Sequence, residues 1–165
     1  MKATEGREKS VIQNAPVYCL KQLQGLSIWN LSLAADSLTI QIGEKIDIYI
    51  VALGITRKVG LFGLHVHCQW SLYRGKSLIL SRNTLSSDFK KDSETILSVS
   101  ELLLKNKSVC TICNYSLGSF EVVFGKFLLK VNNDVKSGEE SWRILDNSNS
   151  FHHKYRARSL PSQER

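Results

Sequence analysis

The sequence lacks any hydrophobic run long enough to cross a membrane as a helix. Its longest apolar stretch, residues 48–55, is far shorter than the roughly 18 residues that a membrane span needs. Residues 1–9 are polar and lack the apolar segment of a secretory signal. We therefore expect a cytoplasmic protein with no membrane partner, and we predict that residues 48–55 form a buried strand.

Proline is also scarce, and no Pro-rich or Gly/Ser-rich linker or internal repeat divides the chain. The two prolines, Pro16 and Pro161, lie near its two ends. This distribution predicts a single β-rich domain at residues 16–147, preceded by a mobile leader at residues 1–15 and followed by a basic, mobile tail at residues 148–165. A chain of 165 residues can bury roughly 70% of its unfolded surface, so it needs no disulfide to fold.

Acidic side chains are fewer than basic ones. The chain has 15 Asp and Glu residues and 22 Lys and Arg residues, which gives a net charge of +7. Residues 151–165 hold four of the basic side chains and one acidic one, so the preceding 150 residues carry only +4. Excess positive charge attracts polyanions. The alternative function is therefore that of a nucleic-acid-binding module that uses the basic tail. The side chains available for it are Lys90, Lys91, Lys105, Lys107, Arg156 and Arg158.

Apolar and polar residues alternate through most of the chain, which is typical of strands with one buried face. About eight strands are expected, and nine runs are candidates for them: residues 26–28, 38–42, 46–50, 64–70, 77–81, 109–115, 119–124, 127–131 and 141–145. Turns are predicted at residues 34–37 and 43–45. A helix is predicted around residues 96–105, where Ser98 and Glu101 form a capping-box pattern. The fold class is therefore α+β and mostly β: a strongly curved antiparallel sheet or partly open barrel with one packed helix.

The cysteines and histidines offer one weak metal pattern. His65, His67, Cys110 and Cys113 are ligand types that suit zinc, but an extended Cys110 and Cys113 point to opposite faces of a strand. In a reducing compartment the cysteines are expected to be buried thiols. We predict no metal and no cofactor.

Catalytic motifs are absent from the sequence. It holds no G-x-S-x-G elbow, no phosphate-binding glycine loop and no H-E-x-x-H helix. The nearest nucleophile and base are Cys68 with His65 or His67, which alternation places on opposite faces of one strand. We predict that the protein is not an enzyme, and a metal- or thiol-dependent enzyme is the third alternative.

Four short motifs occur in a recognisable order. A strand with Trp29 and the small-residue turn at 34–36 precedes Leu-His-Val-His-Cys-Gln-Trp at residues 64–70. A hairpin at residues 118–124 and Glu-Ser-Trp-Arg-Ile at residues 140–144 close the pattern. In this order and spacing, residues 23–146 resemble a family of small bacterial proteins of unknown function. The chain departs from that family where Ser71 follows the tryptophan, since the family has an arginine there. By analogy with other small bacterial families, the resemblance allows an immunity protein that binds and blocks a toxin.

A recognition surface is predicted on the polar side of these strands. Trp70 and Trp142 are expected in the core, so Arg143 faces the opposite side, together with the histidines if the two strands are neighbours. The predicted binding residues are His65, His67, Gln69, Arg143 and Glu140, with Glu121 as an alternative carboxylate. We therefore predict a non-enzymatic protein-interaction module, an immunity-type or accessory factor, whose partner is another protein.

Overall fold

The computed structural model describes residues 19–134 and 140–148, and the backbone of residues 153–158. These ranges contain ten strands in two antiparallel five-stranded sheets and one long helix, α1 (Phe89–Lys105). The first sheet contains, in spatial order, β1 (Ile28–Ala34), β2 (Ser37–Ile50), β3 (Ile55–Val66), β9 (Glu140–Asp146) and β10 (His153–Arg158). The second contains, in spatial order, β5 (Ser77–Ser81), β4 (Gln69–Arg74), β8 (Phe127–Asn132), β7 (Ser119–Phe124) and β6 (Thr111–Ser116).

The predicted fold class is confirmed. The chain is mostly β with antiparallel pairing and one main helix, and the described residues form ten strands where about eight were expected. None of the described helices is both long enough and apolar enough to cross a membrane.

The core lies between the two sheets. Trp142 of β9 and Phe120 of β7 are buried and meet edge to face, with ring centroids 5.1 Å apart. The indole Nε1 of Trp142 donates a hydrogen bond of 2.7 Å to the carbonyl of Gly118 in the second sheet. Trp70 of β4 is also fully buried, so both tryptophans predicted for the core lie there.

The sheets are joined at two places. The chain crosses from β3 to β4 at residues 67–68, where two consecutive N–H groups donate to the carbonyl of Ser141, as in a β-bulge. Beside β1, Ile28 N–H donates to the Ser108 carbonyl and Cys110 N–H donates to the Leu26 carbonyl. These bonds link the free side of β1 to the segment that leads into β6.

The helix begins earlier than predicted. Asp88 is its N-cap and accepts a hydrogen bond from Lys91 N–H, whereas Ser98 lies in the middle of the helix and donates to the Thr95 carbonyl. The capping-box pattern at Ser98 was therefore the wrong start signal. The true start is stabilised by the buried Asp92, which accepts hydrogen bonds from Ser86.

The β2–β3 hairpin overturns two local predictions. Residues 43–45 form no turn, because β2 continues through a bulge: Ile42 pairs with Phe62, and Lys45 pairs with Gly60. Gly60 has no room for a side chain, since a Cβ there would lie 2.7 Å from the Ile42 backbone. Residues 48–55 are not a buried strand either. They end β2, turn and begin β3 at the exposed end of the hairpin.

The basic segment that was expected to be a mobile tail contributes a strand. Residues 153–158 form β10, which pairs antiparallel with β9 and places Arg156 opposite Arg143 in register. The remainder of the expected tail after residue 148, and the expected leader, lie outside the described residues.

Candidate functional site

The outer side of the first sheet carries most of the predicted recognition residues. On β3, Leu64 and Val66 are buried, so the alternation directs His65 away from the core. His65 lies opposite Thr39 of β2 and opposite Arg143 of β9. The neighbouring strands that the sequence interpretation assumed are therefore present in the sheet.

A chain of polar contacts crosses these strands. His67 Nδ1 lies 3.0 Å from the Ser37 hydroxyl, and His67 Nε2 lies 3.5 Å from Glu140 Oε1. The same carboxylate oxygen lies 3.4 Å from Arg143 Nη1. The ring centroids of His65 and His67 are 6.4 Å apart. We call the set Ser37, His65, His67, Glu140 and Arg143 the polar face.

A second charged pair borders the polar face where the chain crosses between sheets. Arg82, just after β5, donates from Nε to Asp36 Oδ2 at 3.0 Å and from Nη1 to the His67 carbonyl. The Arg82 guanidinium holds the pKa of Asp36 below its usual value. Asp36 lies in a turn that the sequence predicted, but Arg82 was missed because no local pattern relates residues 46 positions apart.

Two predicted residues lie elsewhere. Gln69 belongs to β4 of the second sheet, where its backbone N–H donates to Asp134. Glu121, the alternative carboxylate, lies on β7, accepts a hydrogen bond from Asn114 and pairs with Lys130 at 3.1 Å. The carboxylate of the polar face is therefore Glu140.

The candidate zinc ligands predicted from the sequence do not come together. The described residues contain no group of three or more His, Cys, Asp or Glu side chains arranged to hold a metal ion, so His65 and His67 do not join Cys110 and Cys113 in a site. Burial raises the pKa of the Cys110 thiol to about 12. A thiol with so high a pKa stays protonated at neutral pH and is a poor nucleophile. All four cysteines are free.

Ser37, His67 and Glu140 are residue types that form catalytic relays, so their geometry matters. The Glu140 contact of 3.5 Å exceeds the usual range for a strong hydrogen bond, and Glu140 also pairs with Arg143. None of these three residues lines the pocket at the end of α1, whose wall is formed by α1, the loop that follows it, the end of β4, the β7–β8 turn and the start of β8. The arrangement links β2, the segment that follows β3, and β9 through polar and charged contacts.

The chain matches no family model, no curated protein and no solved structure. Its function is therefore inferred from these residues, and the resemblance to the bacterial family stays a prediction.

The polar face continues into a protruding hairpin arm, which we define as residues 45–60. On β3, residues 55, 57 and 59 share the alternation of His65 and so lie on the same side of the strand. The cross-strand pairs on that side are Ile46 with Val59, Ile48 with Arg57, and Ile50 with Ile55. The other side carries an ion pair of 3.0 Å between Lys58 and Asp47. The arm thus has one mainly apolar side.

His67 predicts a measurable loss of stability in mild acid. Burial lowers the pKa of His67 below its usual value of 6.5, Arg143 lowers it further, and Glu140 acts in the opposite direction. As the pH falls below 6.5, the unfolded chain gains a proton on His67 before the folded chain does, so the free energy of unfolding decreases. Urea unfolding at pH 7.5 and 5.5 should show this decrease, and His67→Gln should reduce it.

The comparison uses the change with pH in each variant, because the substitution also alters stability at a single pH. An equal change in the wild type and in His67→Gln would contradict the assignment. The pKa values of Asp36 and Glu121 are also lowered, from usual values of 3.8 and 4.5. Both groups therefore gain protons mainly below pH 5.5 and contribute little to the change in stability between pH 7.5 and 5.5.

Proposed function

We propose that this protein is a non-enzymatic interaction module, an immunity-type or accessory factor, that binds another protein through the first sheet. The observation that carries the proposal is the exposure of large apolar side chains at the end of the hairpin arm. These are Tyr49 at 64%, Val51 at 83%, Leu53 at 67% and Ile55 at 49% exposed. All four lie within residues 49–55, at the end of one hairpin, and exposed apolar side chains concentrated in this way are typical of interaction sites.

The charges around the arm indicate the chemistry of the partner. Arg57 lies on β3 beside the apolar end, Lys45 lies at the base of the arm with its Nζ 4.7 Å from the Trp29 ring centroid, and the whole chain carries a net charge of +7. A partner with an acidic rim around an apolar cleft would complement this surface. The apolar end would fill the cleft, and the basic side chains would meet the rim.

The polar face supplies the selective part of the proposed interface. Arg143 Nε is buried without a hydrogen-bond partner among the described residues, and His67 Nε2 has only its 3.5 Å contact with Glu140 there. Unused donors of this kind are uncommon in folded proteins and carry a free-energy cost. A partner that rearranges these side chains on binding would recover part of that cost, so the free energy of binding would depend on Arg143.

The proposal is tested with a matched pair of substitutions. Leu53→Asn removes an apolar side chain from the arm, whereas Leu117→Asn makes the same change at an 80% exposed turn of the second sheet. Losing the burial of one leucine should weaken binding about tenfold or more. Leu117→Asn should stay within about twofold of the wild type, since most residues outside an interface contribute little.

The measurement starts with tagged full-length protein in a nuclease-treated lysate of the source cells at two salt concentrations. Any protein that is retained is purified, and its dissociation constant is measured for the wild type, both leucine variants and Arg143→Ala. Weaker binding by Leu53→Asn and Arg143→Ala supports the proposal. Equal affinities for all four would overturn it, as would recovery of nucleic acid alone that is lost at the higher salt concentration.

A further inference from the structure

A pocket of about 500 Å³ lies at the carboxyl end of α1, away from the polar face. The β4–β5 turn and the β7–β8 turn meet there, since Gly75 N–H donates to the Lys126 carbonyl at 3.3 Å. Residues 106–109, which follow α1, form the third part of its wall. This volume is within the range of small-molecule sites.

The charge of the pocket has one sign. Arg74, Lys107 and Lys126 line it, and no Asp or Glu is present among the described residues of its wall. Like charges held around one cavity repel each other, and an anion between them would relieve the repulsion. The charged groups therefore favour a negatively charged ligand.

The rest of the wall is mainly apolar. Leu102, Val109 and Phe127 line it beside the cations, and Phe127 itself is buried. Gly125 lets two parts of the wall pack closely, because a Cβ there would lie 2.9 Å from the Ser108 hydroxyl. The pocket therefore offers an apolar surface next to its positive charges.

Lys107 has an unusual backbone conformation for a lysine. It follows the Asn106 C-cap with a φ of 48°, in the left-handed region, where glycine is the preferred residue. Lys107 N–H bonds to the Leu104 carbonyl and Ser108 N–H bonds to the Leu103 carbonyl, which is a Schellman motif. The helix dipole favours a basic side chain near this end of the helix, but Lys105 in the last turn already supplies one. The dipole therefore does not explain why a lysine occupies position 107.

We infer that this pocket binds a small organic anion. Arg74, Lys107 and Lys126 hold its carboxylate or phosphate group, and the apolar wall receives its hydrocarbon or aromatic body. The arginine supports bidentate contact with either oxyanion, and the two lysines add positive charge. This site is independent of the proposed protein interface.

The test uses three probes with the full-length protein: 1-naphthyl phosphate, inorganic phosphate and 1-naphthylmethylamine. Calorimetry should show saturable binding of one 1-naphthyl phosphate per chain. Inorganic phosphate, which lacks the apolar body, should bind at least tenfold more weakly, and the amine should not bind. Equal binding of the two phosphates, or binding of the amine, would overturn the inference.

Matched variants locate the site. Lys126→Gln should weaken 1-naphthyl phosphate binding about tenfold, whereas Lys76→Gln, in the neighbouring turn but outside the pocket wall, should leave it unchanged. Lys107→Gly should also weaken binding about tenfold while the midpoint of thermal unfolding stays the same or rises, because glycine has no left-handed penalty. Unchanged affinity in Lys126→Gln and Lys107→Gly, or an equal loss in Lys76→Gln, would refute the site.

Discussion

Replacing Trp142 by alanine should lower the free energy of unfolding by about 3–5 kcal/mol. The side chain is fully buried between the two sheets, where it contacts Phe120 and donates a hydrogen bond to the Gly118 carbonyl. Its removal leaves a cavity where the sheets meet and a buried carbonyl without its partner. A loss of this size is a large part of the stability of an ordinary domain, so urea unfolding followed by circular dichroism will detect it easily.

Phenylalanine variants separate the hydrogen bond from the packing. Trp142→Phe keeps an aromatic ring but leaves the Gly118 carbonyl unpaired, so it should cost about 1–3 kcal/mol. Trp29→Phe makes the same change where the indole nitrogen is buried without a partner among the described residues. There the substitution removes an unsatisfied donor and should be close to neutral. Equal costs for the two would show that the Trp142 hydrogen bond contributes nothing.

Ser100→Ala should destabilise the protein by about 2–3 kcal/mol. The Ser100 hydroxyl of α1 accepts a hydrogen bond of 2.7 Å from Leu31 N–H and also lies 3.0 Å from the Leu31 carbonyl as a donor. Both backbone groups are on the side of β1 that faces away from β2, so the serine satisfies a buried sheet edge. Alanine cannot replace either bond, and water has no access to the site.

Ser98→Ala is the control for this prediction. Ser98 lies on the same helix, is exposed, and bonds within the helix to the Thr95 carbonyl, so its loss should change stability by less than about 0.5 kcal/mol. Amide hydrogen exchange gives a second measurement, since Leu31 N–H should exchange faster in Ser100→Ala than in the wild type. Equal stability of the two variants, with unchanged exchange at Leu31, would contradict the role assigned to Ser100.

The strands that were predicted well have a local signal. Residues 119–124 form β7 with the predicted bounds. The strand β8 ends one residue later than predicted, and β9 is one residue longer than predicted at each end. In each, apolar side chains alternate and glycine or polar residues follow. Alternation reports which side of a strand is buried, so it also placed Trp70 and Trp142 in the core correctly.

The local errors arose where two structures share one sequence pattern. An apolar run of eight residues is typical of a buried strand, but at residues 48–55 it turns at the end of a hairpin and stays exposed. A serine followed three residues later by glutamate is typical of a helix start, but at Ser98 it falls inside a helix that Asp88 caps. In both cases distant packing decides the outcome, and a short window of sequence does not contain it.

The sequence by itself determined the strand-rich class, the burial of Trp70 and Trp142 and the side of β3 on which His65 lies, because these depend on alternation over a few residues. Only the tertiary structure decided that Glu140 joins Ser37, His67 and Arg143 while Gln69 and Glu121 lie in the second sheet. It also decided that three separate segments form a cationic pocket. Strand neighbours are set by packing between residues far apart in the chain, which local periodicity does not encode.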